Sequence, residues 1–227
     1  MITIADLKSS IYAPTLFEEH PSRLKIANDE KQEQNSAVLR KVELTSRGTF
    51  ISISNSLLKN CANNYCKIDS DFSFRMDCDG ICLLHRDDVN YLIIAEVKSG
   101  FGQVRKKAFS QIVTSYVKAK SFLATIDTYH QNEYKEIGLV ISYPDEDISN
   151  NNEYQLSRKA IMNDLNSVSS AYCASFRKQK QVDMRLKDFG IDKMHVSPNQ
   201  INQVLRVKYV SAPCEAEMHT INLDDII

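Results

Sequence analysis

Glycine and proline are scarce in this chain, at six and five residues of 227. So few backbone punctuators leave no room for a low-complexity linker, and a single compact domain over 1–227 is expected, long enough to bury a real core. An excess of charge of either sign is also missing: 28 Lys and Arg stand against 29 Asp and Glu, for a net charge of −1. That balance provides no global attraction to nucleic acid, so any such binding must come from a local patch. No stretch approaches the roughly 20 apolar residues of a membrane span. The N-terminus, MITIADLKSSIYAP, carries Asp6 and no apolar run of signal-peptide length. A cytoplasmic protein with no membrane partner is expected. What remains is ordinary for a globular domain, with 43% hydrophobic and 25% charged residues.

Six cysteines, at 61, 66, 78, 82, 173 and 214, could suggest a metal cluster or a disulfide set. The size of the chain and the missing signal favour reduced thiols packed in a core. Cys78 and Cys82, four apart on an expected strand, would stand roughly 13 Å apart at about 3.3 Å per residue, too far to share one zinc.

Periodicity places the elements. GTFISISNS (48–56) alternates as a strand leading into a short helix over about 56–65. Two strands follow, over about 73–85 and 90–98, and SGFGQV breaks the second. From 103 to about 126, Phe109, Ile112, Val113, Tyr116, Ala119, Phe122 and Leu123 recur at helical spacing as one apolar face. EIGLVISYP (136–144) reads as a buried strand, 153–178 as a second helical pattern and QVLRVKYVS (203–211) as a late strand. Residues 1–46 are mixed, with a polar run, NDEKQEQN, that reads as a loop or helix end. The order implies an α/β domain whose central sheet is covered on both faces.

Within FRMDCDGICLLHRDDVNYLIIAEVKSGFG (74–102), charged residues stand among Cys, Ile, Leu and Val. An unpaired charge there would cost several kcal/mol, so each needs a partner, a metal or a cleft. If the chain turns tightly around Asp87 and Asp88, residues whose numbers add to 175 lie opposite one another. Asp79 then faces Glu96 and Asp77 faces Lys98. Strand alternation sends all four to one side, together with Ile81, Leu83, Leu92 and Ile94. Met76, Cys78, Gly80, Cys82, Tyr91, Ile93, Ala95 and Val97 form the other side. Three carboxylates at cross-strand distance repel unless cations hold them. Lys98 can neutralise one, and Mg²⁺ suits carboxylate, water and phosphate oxygens, with the carbonyl of Val97 as a further ligand. A structural salt bridge at a sheet end, Lys98 with Asp77, is the alternative.

These residues resemble the PD-(D/E)XK nuclease superfamily, whose restriction-endonuclease-like fold is a central mixed sheet flanked by helices. CDGI stands in place of the Pro-Asp motif and AEVKS fits the second motif, with the helix and the strand GLVIS following. The match covers about 73–144, within a nuclease-like core of about 48–144, with 1–47 and 145–227 as embellishments. Acid-x-Lys alone is weak, since Asp29-Glu30-Lys31 and Glu133-Tyr134-Lys135 also satisfy it. The resemblance implies a metal-dependent nuclease hydrolysing phosphodiester bonds, DNA before RNA, as the cleavage subunit of a defence or repair assembly. Asp79, Glu96 and the Val97 carbonyl would hold Mg²⁺, for which Mn²⁺ can substitute, and Lys98 would orient water or stabilise charge on the phosphoryl group. Lys98 beside carboxylates is expected to stay charged, which favours charge stabilisation over proton abstraction. Gln111 matches the family's helix glutamine, and Glu18, Glu19 and Glu43 compete for an N-terminal glutamate. Asp77 is expected behind Lys98 as its partner, or else as a direct ligand. An inactive nuclease-like scaffold or nucleic-acid-binding subunit is the alternative function.

Between Lys98 and Asp127 there is no acid, while Lys98, Arg105, Lys106, Lys107, Lys118 and Lys120 are positive. Arg105, Lys106 and Lys107, at the start of the helix, are the expected nucleic-acid contacts, helped by the helix dipole. These lysines could equally solvate an outer helix face. His85, six residues from Asp79, would stand roughly 20 Å away and is not expected in the site. A protein partner or a homo-oligomer is expected to supply target choice, since no separate recognition domain is visible.

Overall fold

Asp87 and Asp88 both take the left-handed backbone region, with φ of 49° and 60°. Two positive-φ residues in succession make a type I′ turn, whose twist matches that of the strands it joins. The structure, a computed structural model, describes residues 2–27, 39, 41–57, 76–98, 104–143, 168–189, 191, 201–213 and 218–227, apart from the side chains of Arg105, Lys106 and Arg177. The turn joins β3 (Gly80–Arg86) to β4 (Val89–Lys98), pairing Arg86 with Val89 and Gly80 with Ala95. This is the expected register.

The hairpin lies within an eight-stranded mixed sheet. β1 (Phe17–Ala27), β2 (Lys41–Ile53), β3 and β4 run antiparallel in turn. β5 (Tyr134–Ser142) and then β7 (Val204–Ser211) continue beyond β4 in parallel, and β6 (Gln181–Arg185) closes that edge antiparallel to β7. β8 (Met218–Asn222) pairs parallel with the first half of β2, whose second half holds β3. Gly48 lies between those halves, where a Cβ would come within 2.2 Å of the His85 carbonyl. β1, β6 and β8 come from segments in which the sequence pattern marks no strand. The polar run NDEKQEQN, most of the helix expected over 56–65, and the first half of the pattern over 153–178 lie outside the described residues.

Helices α1 (Ile4–Ser9), α2 (Phe109–Leu123) and α3 (Val168–Gln179) pack on one face of the sheet. There Leu7, Ile112, Val113, Tyr116, Cys173 and Phe176 join Ile81, Leu83, Leu92 and Ile94 in one cluster. A π-helical turn, Val104–Ala108, leads into α2. The other face gathers Cys82, Leu84, Tyr91, Ile93, Ala95 and Val97 with Leu44, Phe50, Leu139 and Ile141, closed by Ile221, Leu223 and the C-terminal residues. Both faces are covered, as expected, the second by strands and the C-terminal segment, with no α-helix on it among the described residues.

The apolar stripe read on α2 is buried as expected, yet so are Gln111, Thr114, Ser115, Lys118 and Lys120 between its members. Lys120 donates to Glu136 of β5 and, at 2.6 Å, to the Tyr129 hydroxyl. Tyr116 also donates to Glu136, and the Asn202 side chain reaches the same carboxylate at 2.6 Å. Burial lowers the pKa of the Lys120 ammonium, against the opposing pull of Glu136. In the C-terminal turn Asp224 accepts from Ser46 Oγ (2.7 Å), the Arg47 amide (3.1 Å) and Arg86 (3.0 Å), tying that turn to β2 and β3.

Lys120→Met alone strands the Glu136 carboxylate and is expected to cost about 3–5 kcal/mol, whereas Lys120→Met with Glu136→Leu recovers much of that loss. Equilibrium urea unfolding measures both. The Ser46 hydrogen bond, then the Arg47 amide and Arg86, lower the Asp224 carboxyl from its ordinary 3.8 to about 2. A depressed folded-state pKa stabilises the protein above the unfolded value, and that contribution is lost as pH falls from about 4 to about 2. Thermal melts across that window should show the decline in the wild type and a flatter one in Asp224→Asn.

Candidate active site

β4 lies between β3 and β5 under α2, so the alternation that buries Leu92 and Ile94 also buries Glu96 and Lys98. Their side chains are 0% and 1% exposed, and Lys98 Nζ stands 2.6 Å from Glu96 Oε1. Two charges this deep are compatible with folding because each neutralises the other at hydrogen-bond distance.

Asp79 sits one residue before β3. Its amide donates to the Ala95 carbonyl at 3.1 Å, one residue out of the hairpin register, and its Oδ2 accepts from the Val97 amide at 2.8 Å. The carboxylate thus takes the place of a backbone carbonyl where the ladder ends. A residue's N–H and C=O point to the same edge of a strand, so the Val97 carbonyl is directed past the end of β3, toward Asp79. The irregularity changes the parity of what precedes it. Cys78, expected on the far side with Cys82, joins the α2-side cluster instead, and β3 is shorter than the strand expected from 73. Burial foremost, and then the negative charges of Glu96 and Asp79, raise the pKa of the Cys78 thiol far above the ordinary thiol range, opposed by a bond from Ser115. The charges of both carboxylates are therefore felt at one sulfur.

The expected partnership of Asp77 with Lys98 gives way to another. Asp77 Oδ1 lies 2.6 Å from Lys118 Nζ on α2, because the chain at 77 has left the ladder and runs beneath the helix. Gln111, 4% exposed, donates to the Asp77 carbonyl at 2.9 Å, and its Oε1 is buried with no hydrogen-bond partner among the described residues. Ser115 accepts from the Cys78 amide at 2.8 Å. From the end of β2, Asn55 donates to the carbonyls of Cys78 (3.1 Å) and Asp79 (2.9 Å). Sequence reasoning missed Asn55, Ser115 and the role of Lys118. The spacing of Gln111, Ser115 and Lys118 along one helix face was the available signal.

The basic stretch is correspondingly thinner than its composition implies. Lys98, Lys118 and Lys120 are taken by buried acids, which makes them interior ion pairs and removes them from any patch. Lys107, on the π-helical turn, is exposed, while the side chains of Arg105 and Lys106 lie outside the described residues. Glu43 pairs with Arg23 at 3.6 Å, and Glu18 lies opposite Ser52 with 76% of its side chain exposed. Glu19 lines a separate small cavity with His85 and Tyr134. His85 bonds Asn90 at 2.9 Å near the turn, away from the acids as expected.

Half-buried Asp79 opens onto a groove of about 360 Å³ lined by Lys25, Ser52, Ser54, Asn55 and Ser56. Among the described residues no group of three or more His, Cys, Asp or Glu is placed to hold a metal. The donors offered by Asp79, Glu96 and the Val97 carbonyl are hard oxygens, and the neighbouring thiol is held protonated. One or two carboxylates completed by water and substrate oxygen suit Mg²⁺, so this donor set fits that ion in kind. No family model, curated protein or solved structure matches the chain. Among the described residues no helix is long and apolar enough to cross a membrane.

Cys78 and Cys82 are buried, with thiol pKa values raised by that burial, Cys82 to about 12. Native protein treated with iodoacetamide at pH 8 should leave both unmodified, and the same treatment in urea should label both, as peptide mass mapping would reveal.

Proposed function

We propose that this chain is a metal-dependent nuclease that hydrolyses phosphodiester bonds, DNA before RNA, with Mg²⁺ as its ion and Mn²⁺ able to substitute. The observation that supports this is the end of the β3–β4 ladder, where the Asp79 carboxylate takes the Val97 amide at 2.8 Å, Lys98 stands 2.6 Å from Glu96 and a groove opens at Asp79. Asp79, Glu96 and Lys98 are the residues to which the resemblance to the PD-(D/E)XK superfamily gives these roles. Asp79, Glu96 and the Val97 carbonyl would hold the ion. When bound, the ion would bring a water's pKa toward neutrality and offset negative charge on the phosphate. Lys98 supplies a positive charge fixed beside Glu96, which favours a pentacovalent, more negative phosphoryl group over the ground state. Gln111 acts through the Asp77 carbonyl that it holds. Arg105, Lys106 and Lys107, on the turn entering α2, would take the nucleic-acid backbone, and the exposure of Lys107 is compatible with that role. Target choice would come from a protein partner or a second copy, with this chain as the cutting subunit of a defence or repair assembly.

A second reading, a nuclease-like scaffold that binds nucleic acid without cutting, is favoured by one observation, the near-complete burial of the Glu96–Lys98 pair.

Purified protein with Mg²⁺ or Mn²⁺ should cut single- or double-stranded DNA or RNA. Asp79→Asn, Glu96→Gln and Lys98→Met should each lower the rate about 100-fold or more. Because Lys98→Met leaves Glu96 buried without its cation, the double variant Glu96→Gln/Lys98→Met, checked by circular dichroism and thermal melting, separates lost chemistry from lost fold. Absence of metal-dependent cleavage of every substrate by the wild type would select the scaffold.

A further inference from the structure

The stretch Asp77–Asp79 belongs to no strand, yet its backbone polar groups are bonded almost throughout. The Asp77 carbonyl accepts from Gln111, the Cys78 amide donates to Ser115, and the Cys78 and Asp79 carbonyls both accept from Asn55. The Asp79 amide donates to the Ala95 carbonyl. Buried backbone groups that leave a ladder need partners of this kind, and here side chains supply most of them. Two of the side chains belong to α2, and the third, Asn55, stands alone on the opposite flank, after the end of β2 and on the wall of the groove.

One amide nitrogen that captures two successive carbonyls fixes the orientation of the peptide unit between them. That peptide carries the Cα of Asp79, so its orientation decides where the carboxylate is aimed. In the structure it is aimed at the Val97 amide, 2.8 Å away, beside Glu96. Gly80 helps to set the same approach, since a Cβ there would stand 2.7 Å from the Ile26 side chain. We propose that Asn55 is a positioning residue for Asp79, holding the carboxylate against β4 where it can act together with Glu96. This rests on the reading of Asp79 as a metal-holding acid. The sequence offers no hint of the role, because Asn55 lies 24 residues before Asp79 in a short serine-rich segment.

The test uses the full chain and two independent readouts. Amide hydrogen exchange at Val97, followed by NMR, reports directly on the bond to Asp79. Calorimetric titration with Mn²⁺ alone reports on metal affinity without any substrate. In Asn55→Ala and in the near-isosteric Asn55→Asp, which lacks the donor, Val97 should exchange about tenfold faster or more, while Tyr91 and Ile93 in mid-strand stay unchanged. Mn²⁺ affinity should fall about 10- to 100-fold, the usual effect of losing a group that orients a metal ligand. Asn55→Gln, which keeps an amide donor, should recover part of both. If Asn55→Ala does not fold, Asn55→Asp and Asn55→Gln carry the comparison. Unchanged Val97 exchange in Asn55→Asp overturns the proposal, and so does faster exchange with undiminished Mn²⁺ affinity. A wild type that binds no Mn²⁺ and cuts nothing defeats the nuclease reading instead, and Val97 exchange then judges the positioning of Asp79 by itself.

Discussion

The two-residue turn at Asp87 and Asp88 is the constraint on which the site depends. Its positive φ angles fix the β3–β4 register, and a slip of one residue would carry Glu96 and Lys98 to the opposite face of the sheet. There they would meet the cluster of Leu44, Phe50 and Leu139, with none of the α2 side chains in reach. The register also decides where pairing stops. At Gly80 and Ala95 the ladder ends, and the Asp79 carboxylate takes up the next amide of β4. The end of the hairpin and the candidate site are therefore one feature, made by a side chain that completes the backbone bonding of its neighbour.

The Glu96–Lys98 pair is a poor choice if stability were its only purpose. Removing two charges from water costs several kcal/mol each in practice, and close contact returns that cost only with good geometry and further bonds. On a strand that otherwise reads Leu, Ile, Ala and Val, apolar residues at both positions would pack at least as well. Charge placed where packing does not require it, beside a second acid and an open groove, has the character of a functional site. The Lys120–Glu136 network answers to a different need. It joins α2 to β5 through Tyr116, Tyr129 and Asn202 and reaches no neighbouring acid of the hairpin, so its role is to fix the helix on the sheet.

Local chemistry was legible in the sequence and distant pairing was not. The Asp87–Asp88 turn, the alternation through β4 and the apolar stripe of α2 all arise within a few residues of one another, and each is found where its pattern places it. β1 was hidden because FEEHPSRLKIA is a charged edge strand with an irregularity at Pro21–Arg23, and its pattern does not alternate cleanly. β6 and β8 are short and half polar, and they are strands only because β7 and β2 supply partners. Cys78 was assigned to the wrong face because parity counting carries no information about where a ladder becomes irregular. Lys118 and Lys120 looked like solvent charges because their acids, Asp77 and Glu136, lie 41 and 16 residues away.

That last error bears on how nucleic acid could be held. Within the acid-free stretch from Lys98 to Asp127, three of the six positive charges are spent on fixing the interior. Lys98 holds Glu96, Lys118 holds Asp77 and Lys120 holds Glu136. A buried ammonium already paired at hydrogen-bond distance draws little on a phosphate still out in solution. Long-range attraction must therefore come from exposed cations, of which Lys107 near α2 and Lys25 on the groove wall are examples, and the near-zero net charge adds nothing to them. Weak steering of this kind suits a cutting subunit delivered to its target by another molecule better than one that finds DNA by charge alone. On the proposed nuclease reading, the Asp77–Lys118 and Glu136–Lys120 pairs would serve the chemistry indirectly, by holding the chain before Asp79 and β5 under α2 before any phosphate arrives.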